Sequence, residues 1–169
     1  MAVEVGSDAA RQGQGKGRRR LHLLFVTSTG GHLAQLMQLE SWWREHERTW
    51  VTFDKPDARS VLEGERVVLA HHPTTRHLGN LARNARLARS VLGRYRPDVV
   101  LSTGAGVALP FFVAARALRI PTVYLEVYDR VDSVTMTGRL CHPFSSAFCV
   151  QWPEQVELYP GSELVGMVL

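Results

Sequence analysis
The chain has 169 residues, a net charge of +4 and two cysteines. That length fits one domain able to bury about 70% of its unfolded surface, and a hydrophobic content of 45% places it among ordinary globular proteins. Cys141 and Cys149 lack metal-ligand partners at useful spacing; a disulfide framework is not expected, and a reduced, cytosolic protein is the simplest reading.

The first twenty residues, "MAVEVGSDAARQGQGKGRRR", lack the apolar centre of a signal peptide and read as a disordered basic arm. A tail of this kind is either simply solvated or drawn to anionic lipid, where each basic residue near the surface adds roughly 1 kcal/mol. No apolar stretch is long enough to span a bilayer. "LHLLFVT" (residues 21–27) is a short continuous apolar run, as for a strand buried on both faces. From Leu33, the residues Leu36, Met37, Leu39 and Trp43 recur at helical spacing. "RTWVTF" and "RVVLA" read as strands, with "DKPDARS" between them as a loop.

Leu78, Leu81, Ala85, Ala88, Leu92 and Tyr95 step by three and four and predict a helix with one apolar stripe. Arg76, Arg83, Arg86 and Arg94 project largely from its other side, a basic face expected to be drawn to anionic membrane headgroups. Pro97 ends that helix, "DVVLST" follows as a strand, and Pro110 suits the first turn of the next helix. "PTVYLEV" is another strand, and "SSAFCVQW" and "SELVG" are shorter candidates. Strands alternating with helices predict an α/β fold, a Rossmann-like parallel sheet with helices on both faces, as a single domain over residues 21–169.

In such a sheet, ligands bind beyond the carboxyl ends of the strands. Two glycine turns fall there: Gly30-Gly31, preceded by Ser28 and Thr29, and Gly104-Ala105-Gly106, preceded by Ser102 and Thr103. Glycine lets backbone amides approach an anion, so a diphosphate is the natural ligand; the alternative is that both are only tight turns. Neither loop has the G-x-x-x-x-G-K-[ST] or G-x-G-x-x-G pattern, and Asp54 stands in a loop, which disfavours a P-loop nucleotidase and a dinucleotide dehydrogenase. His32 could be a general base, an anion contact or a helix-entry residue bonded to backbone. Glu126 could orient a sugar hydroxyl, take a proton or pair with Arg130. His71, His72 and His77 are poorly spaced for a metal. The arginine helix lacks the interleaved aromatics and recognition motifs of a nucleic-acid binder.

"TSTGGHLAQLMQL", "RPDVVLSTGAGVALPFFVAARALRIPTVYLE" and "TGRL…VQWPEQVELYP" together resemble the asparagine-linked glycosylation protein fourteen family, whose bacterial members serve capsule and exopolysaccharide synthesis. The likeness runs from about residue 21 to 166; the N-terminal half of the peptidoglycan lipid-linked GlcNAc transferase is a more distant one. The resemblance implies the acceptor-side half of a GT-B glycosyltransferase, with a separate polypeptide carrying most of the nucleotide-sugar site. It implies transfer of GlcNAc or a related sugar from a UDP-sugar to a lipid diphosphate-linked acceptor, without a bound metal or other cofactor. It implies work on the cytoplasmic face of the membrane; eukaryotic members have an N-terminal membrane helix where this chain has a basic arm, which makes peripheral attachment the expectation. Its glycine motifs fall on Ser28, Thr29, Gly30, Gly31 and His32, and on Thr103, Gly104, Ala105 and Gly106; its strand-end glutamate falls on Glu126. Val127 stands where members often carry serine, which removes a hydroxyl. A self-sufficient homodimeric transferase and a non-catalytic membrane adaptor are the competing readings.

Overall fold
The computed structural model describes residues 19–74 and 77–168. The basic arm, apart from Arg19 and Arg20, and Arg76 of the arginine helix lie outside the described residues. Arg19 itself pairs with Asp98 at 2.8 Å, an exposed contact of the kind that contributes little to stability.

Seven strands form one sheet: β1 (His22–Val26), β2 (Glu47–Thr52), β3 (Val67–Leu69), β4 (Val99–Ser102), β5 (Thr122–Leu125), β6 (Ala147–Val150) and β7 (Glu163–Leu164). Their order is β3-β2-β1-β4-β5-β6-β7 and every pairing is parallel. The order reverses between β1 and β4, and a doubly wound sheet opens its ligand crevice at that point.

Side chains alternate across a strand, and β1 shows why both sheet faces must be covered. Leu23 and Phe25 point to one face, where Phe25 stacks on Trp50 at 4.2 Å between ring centroids. Helices α1 (Gly31–Met37), α2 (Glu40–Trp43) and α3 (Pro56–Val61) cover that side through Leu33, Leu36, Trp43 and Ala58. Leu24 and Val26 point to the other face. There α4 (Leu78–Tyr95), α5 (Ala108–Ala117) and α6 (Met136–Cys141) bring Ala88, Leu92, Phe111, Phe112 and Cys141. A 3₁₀ turn at His142–Phe144 follows α6, and α7 (Pro153–Leu158) precedes β7.

Three expectations need correction. "DKPDARS" is not all loop, because Pro56 sits in the first turn of α3, where its missing N–H costs nothing. The run from Leu33 to Trp43 is two helices, broken at Gln38 and Leu39. The stripe on α4 holds only in its second half: Leu78 (81% exposed), Leu81 and Ala85 face outward, and Asn80 and Asn84 are buried instead. Both asparagines bond the segment after β3. The Asn84 amide accepts from the His71 N–H and donates to its carbonyl, each at 2.9 Å, and the Asn80 amide donates to the Pro73 carbonyl at 2.9 Å. Buried polar groups are tolerated when so paired. At the other end α4 closes on Arg96, left-handed at φ 43°, ahead of Pro97.

Candidate functional site
The loops after β1 and β4 flank the switch point, and His32 ties them together. Its Nδ1–H donates to the Thr103 carbonyl at 2.9 Å, and the Thr103 hydroxyl donates back to the His32 carbonyl at 2.8 Å. The carbonyl fixes the proton on Nδ1, which leaves Nε2 as an unprotonated acceptor. His32 lines a cleft of about 310 Å³ with Gly31, Gln35, Ala105, Tyr124, residues 127–130 and residues 135–137. Burial, the largest influence, pulls the imidazole below the ordinary histidine value of 6.5; the Thr103 carbonyl and the Glu126 and Asp129 carboxyls act in the opposite sense. The ring is therefore neutral at pH 7 and able to take a proton.

The glycines have separate jobs. Gly30 enters α1 at φ 69° and ψ −136°, a backbone that favours glycine, and its N–H donates to Asp57 Oδ2 at 2.8 Å. A phosphate at that amide would compete with the protein's own carboxylate. Gly104, at φ 121°, gives its N–H to the Ser102 hydroxyl at 3.0 Å. Gly106 leaves room for Thr74, whose side chain would lie 2.9 Å from any Cβ there. Ser28 and Thr29 bond within their own loop and do not line the cleft. Of the residues assigned to diphosphate, the structure brings only Gly31 to the cleft wall, which Ala105 also lines. Ala105 is held at φ 66°, a conformation that costs a non-glycine residue about 1–3 kcal/mol and recurs at ligand loops. Among the described residues, the N–H groups of Gly31, Ala105 and Gly106 make no hydrogen bond.

Glu126 does not line the cleft; it is fully buried behind it. Its carboxyl accepts from the Val127 N–H at 2.9 Å, from the Thr135 hydroxyl at 2.9 and 3.2 Å, and from the Tyr159 hydroxyl. None of these partners is Arg130, so the alternative of an ion pair with that residue is not among the described contacts. Burial and the neighbouring Glu126 push the Tyr159 phenol up to about 12, which keeps it a donor. Gly138 makes this packing possible, since a Cβ would collide with Glu126 Oε2, Tyr159 Oη and Thr135 Oγ1.

Sequence reasoning missed the residues that aim the cleft wall. Gln155, fully buried, donates to the Val127 and Arg130 carbonyls at 3.0 and 3.1 Å, and Gln151 donates to the Glu126 carbonyl at 2.7 Å. Trp152 Nε1–H donates to the Tyr128 carbonyl at 2.7 Å. The segment "VQWPEQVELYP" thus holds residues 127–130, and with them the exposed Arg130, against the cleft. The available signal was the pair of glutamines four apart where a helix begins.

Arg83, Arg86 and Arg94 are exposed on α4, but not as one patch at the cleft. Arg83 lies near the N-terminal end, which in this topology faces the ligand edge and also carries the exposed Leu78 and Leu81. Arg94 sits roughly 16 Å further along the axis, over the Tyr95 ring. His77 caps α4, its Nδ1 accepting from the Asn80 N–H at 3.0 Å.

A parallel sheet with the order reversal at β1/β4 defines a Rossmann-like domain, similar to the N-terminal half of GT-B glycosyltransferases. The crystal structure of Acinetobacter baumannii MurG shares this fold over 86% of the chain, with a TM-score of 0.70 at 19% identity; the chain spans 44% of that protein's length. Residues 80–168 match the family described as "Oligosaccharide biosynthesis protein Alg14 like", and the chain belongs to that family. The mouse (Mus musculus) protein named UDP-N-acetylglucosamine transferase subunit ALG14 is 26% identical, over 90% of this chain and 85% of its own length. A Clostridium botulinum pyrophosphoryl-undecaprenol N-acetylglucosamine transferase is 28% identical over 46% of this chain and 21% of its own.

Proposed function
We propose that this chain is the acceptor-binding half of a two-component glycosyltransferase that moves GlcNAc, or a related sugar, from a UDP-sugar to a lipid diphosphate-linked acceptor. The observation that carries the reading is the reciprocal His32–Thr103 pairing, which leaves Nε2 of a neutral imidazole beside the cleft. The chain is a glycosyltransferase subunit, and the relative's name, which includes "subunit", supports a partner that supplies the nucleotide-sugar half.

In the reaction, Nε2 of His32 takes the proton of the acceptor hydroxyl as its oxygen attacks the anomeric carbon. The bond from that carbon to the UDP oxygen breaks, and UDP leaves with the electron pair. Arg130 and the free amides of Gly31 and Ala105 give the cleft its donors for the acceptor diphosphate. Glu126 acts as a positioning residue, through Thr135 and Tyr159, on the wall that carries Arg130.

The test is reconstitution. The isolated chain should not transfer sugar from UDP-GlcNAc, and adding the partner polypeptide should restore transfer. Robust turnover by the chain alone would favour a homodimer that builds its own cleft. Transfer indifferent to His32→Ala would favour an adaptor that only recruits its partner.

A lipid-linked acceptor requires the cleft to meet the bilayer, and among the described residues no helix is long and apolar enough to cross one. Arg83 and Arg86, on the same end of α4 as the exposed Leu78 and Leu81, offer basic and apolar groups for peripheral attachment on the cytoplasmic face, with Arg76 and the basic arm adding charge. Binding to anionic vesicles should weaken as salt rises and fall further for Arg83→Glu/Arg86→Glu. Arg94→Glu should matter less, because that residue lies far down the helix. Co-sedimentation over a salt series checks this; equal binding to neutral vesicles at high salt would replace the electrostatic account with apolar insertion.

A further inference from the structure
We propose that Gln35 reads a pair of adjacent hydroxyls on the acceptor sugar and so sets acceptor specificity. Gln35 lies one turn beyond His32 on α1 and lines the same cleft. Its side chain is 3% exposed, and neither the amide oxygen nor the amide nitrogen has a hydrogen-bond partner among the described residues. The other buried amides near the cleft are fully used: Gln151 and Gln155 each bond through both oxygen and nitrogen. An unpaired buried amide is destabilising, so its presence in a native protein calls for an explanation, and a ligand that supplies the missing partners is one.

The chemistry narrows the partner. A primary amide presents an N–H donor and a C=O acceptor side by side. A phosphate can only accept and an ammonium can only donate, so either leaves half of the amide unpaired. Two neighbouring sugar hydroxyls match both, one accepting from the N–H and the other donating to the carbonyl. A residue one helical turn from His32 would also fix which hydroxyl reaches Nε2. Sites built on buried hydrogen-bonding groups reject analogues lacking the matching hydroxyl strongly, because the protein group is then stranded.

The inference rests on the acceptor-binding reading above, and the experiment separates the two. The complex of this chain with its partner is assayed with UDP-GlcNAc and prenyl diphosphate-linked glucose, galactose and N-acetylglucosamine. The best acceptor is then compared with its monodeoxy derivatives, for wild type and for Gln35→Met, a substitution close in volume. Wild type should lose about 10²-fold or more in kcat/KM on removal of one particular hydroxyl. Gln35→Met should be slowed on the full acceptor yet lose that discrimination. Thermal melting of Gln35→Met without ligand should match or exceed wild type, because the unpaired amide is gone. Undiminished discrimination by Gln35→Met, or a melting point well below wild type, would overturn the role of Gln35 while leaving the transferase reading intact. No transfer by the wild-type complex to any of the three acceptors would overturn both.

Discussion

His32→Ala should lower turnover of the assembled transferase by ~10²–10⁴ while leaving the fold in place. The ring is partly buried, but what it contributes to the structure is one donated bond to the Thr103 carbonyl. The Thr103 hydroxyl still reaches the backbone carbonyl of residue 32 after truncation, because that bond does not use the side chain. The rate profile carries a second signature. Burial holds the His32 pKa below 6.5, so wild-type kcat/KM should be flat above that pH and fall as pH drops through the depressed value, where the base becomes protonated. Folding stability should decline over the same window below 6.5, since the unfolded chain takes up the proton first. His32→Ala should remove this contribution to both profiles. Wild-type turnover by His32→Ala would return the histidine to a purely structural role at the junction of the two loops.

The sheet was legible because several of its strands are continuous apolar runs between turn residues, and β1, β4 and β5 carry that signature. What periodicity could not see were places where a polar residue is buried in order to serve backbone. Asn80 and Asn84 look like solvent positions on α4, yet they hold the segment after β3 and turn Leu78 and Leu81 outward. Pro56 and Asp57 read equally as turn residues and as a helix start; burial of Ala58 in the core cluster that holds Trp50 decides between them. The position of Glu126 at a strand end was legible, but its burial was not. Its side-chain partners lie 9 and 33 residues away, at Thr135 and Tyr159, and only the fold brings them together. The glycine loops were legible as ligand-edge features, but the carboxylate that occupies the Gly30 amide comes from α3, whose residues have the composition of a loop.

Those separate glycine roles make Gly104 and Gly30 differ sharply under substitution. A Cβ at Gly104 would stand 2.8 Å from Tyr124 Oη and 3.0 Å from His32 Cε1, with φ at +121°. The Tyr124 ring cannot yield easily, being stacked on Phe148 at 4.7 Å and packed edge-on against Phe112. Gly104→Val should therefore displace the His32 imidazole and strain the turn, at about 1–3 kcal/mol for the backbone and a similar amount for overpacking. A ~1 Å shift of a catalytic group costs about 10²-fold, so turnover should fall at least that far even where the domain still folds. Gly30 has no atom within 4 Å of a built Cβ. Gly30→Ala meets only the cost of its backbone angles and keeps its N–H on Asp57, so it should melt a few degrees lower and retain most of its activity. Circular-dichroism melts paired with turnover of the complex separate the two variants. If Gly30→Ala proved as inactive as Gly104→Val while remaining folded, the first glycine loop would have to touch substrate directly, and its occupation by Asp57 would have to break when substrate binds.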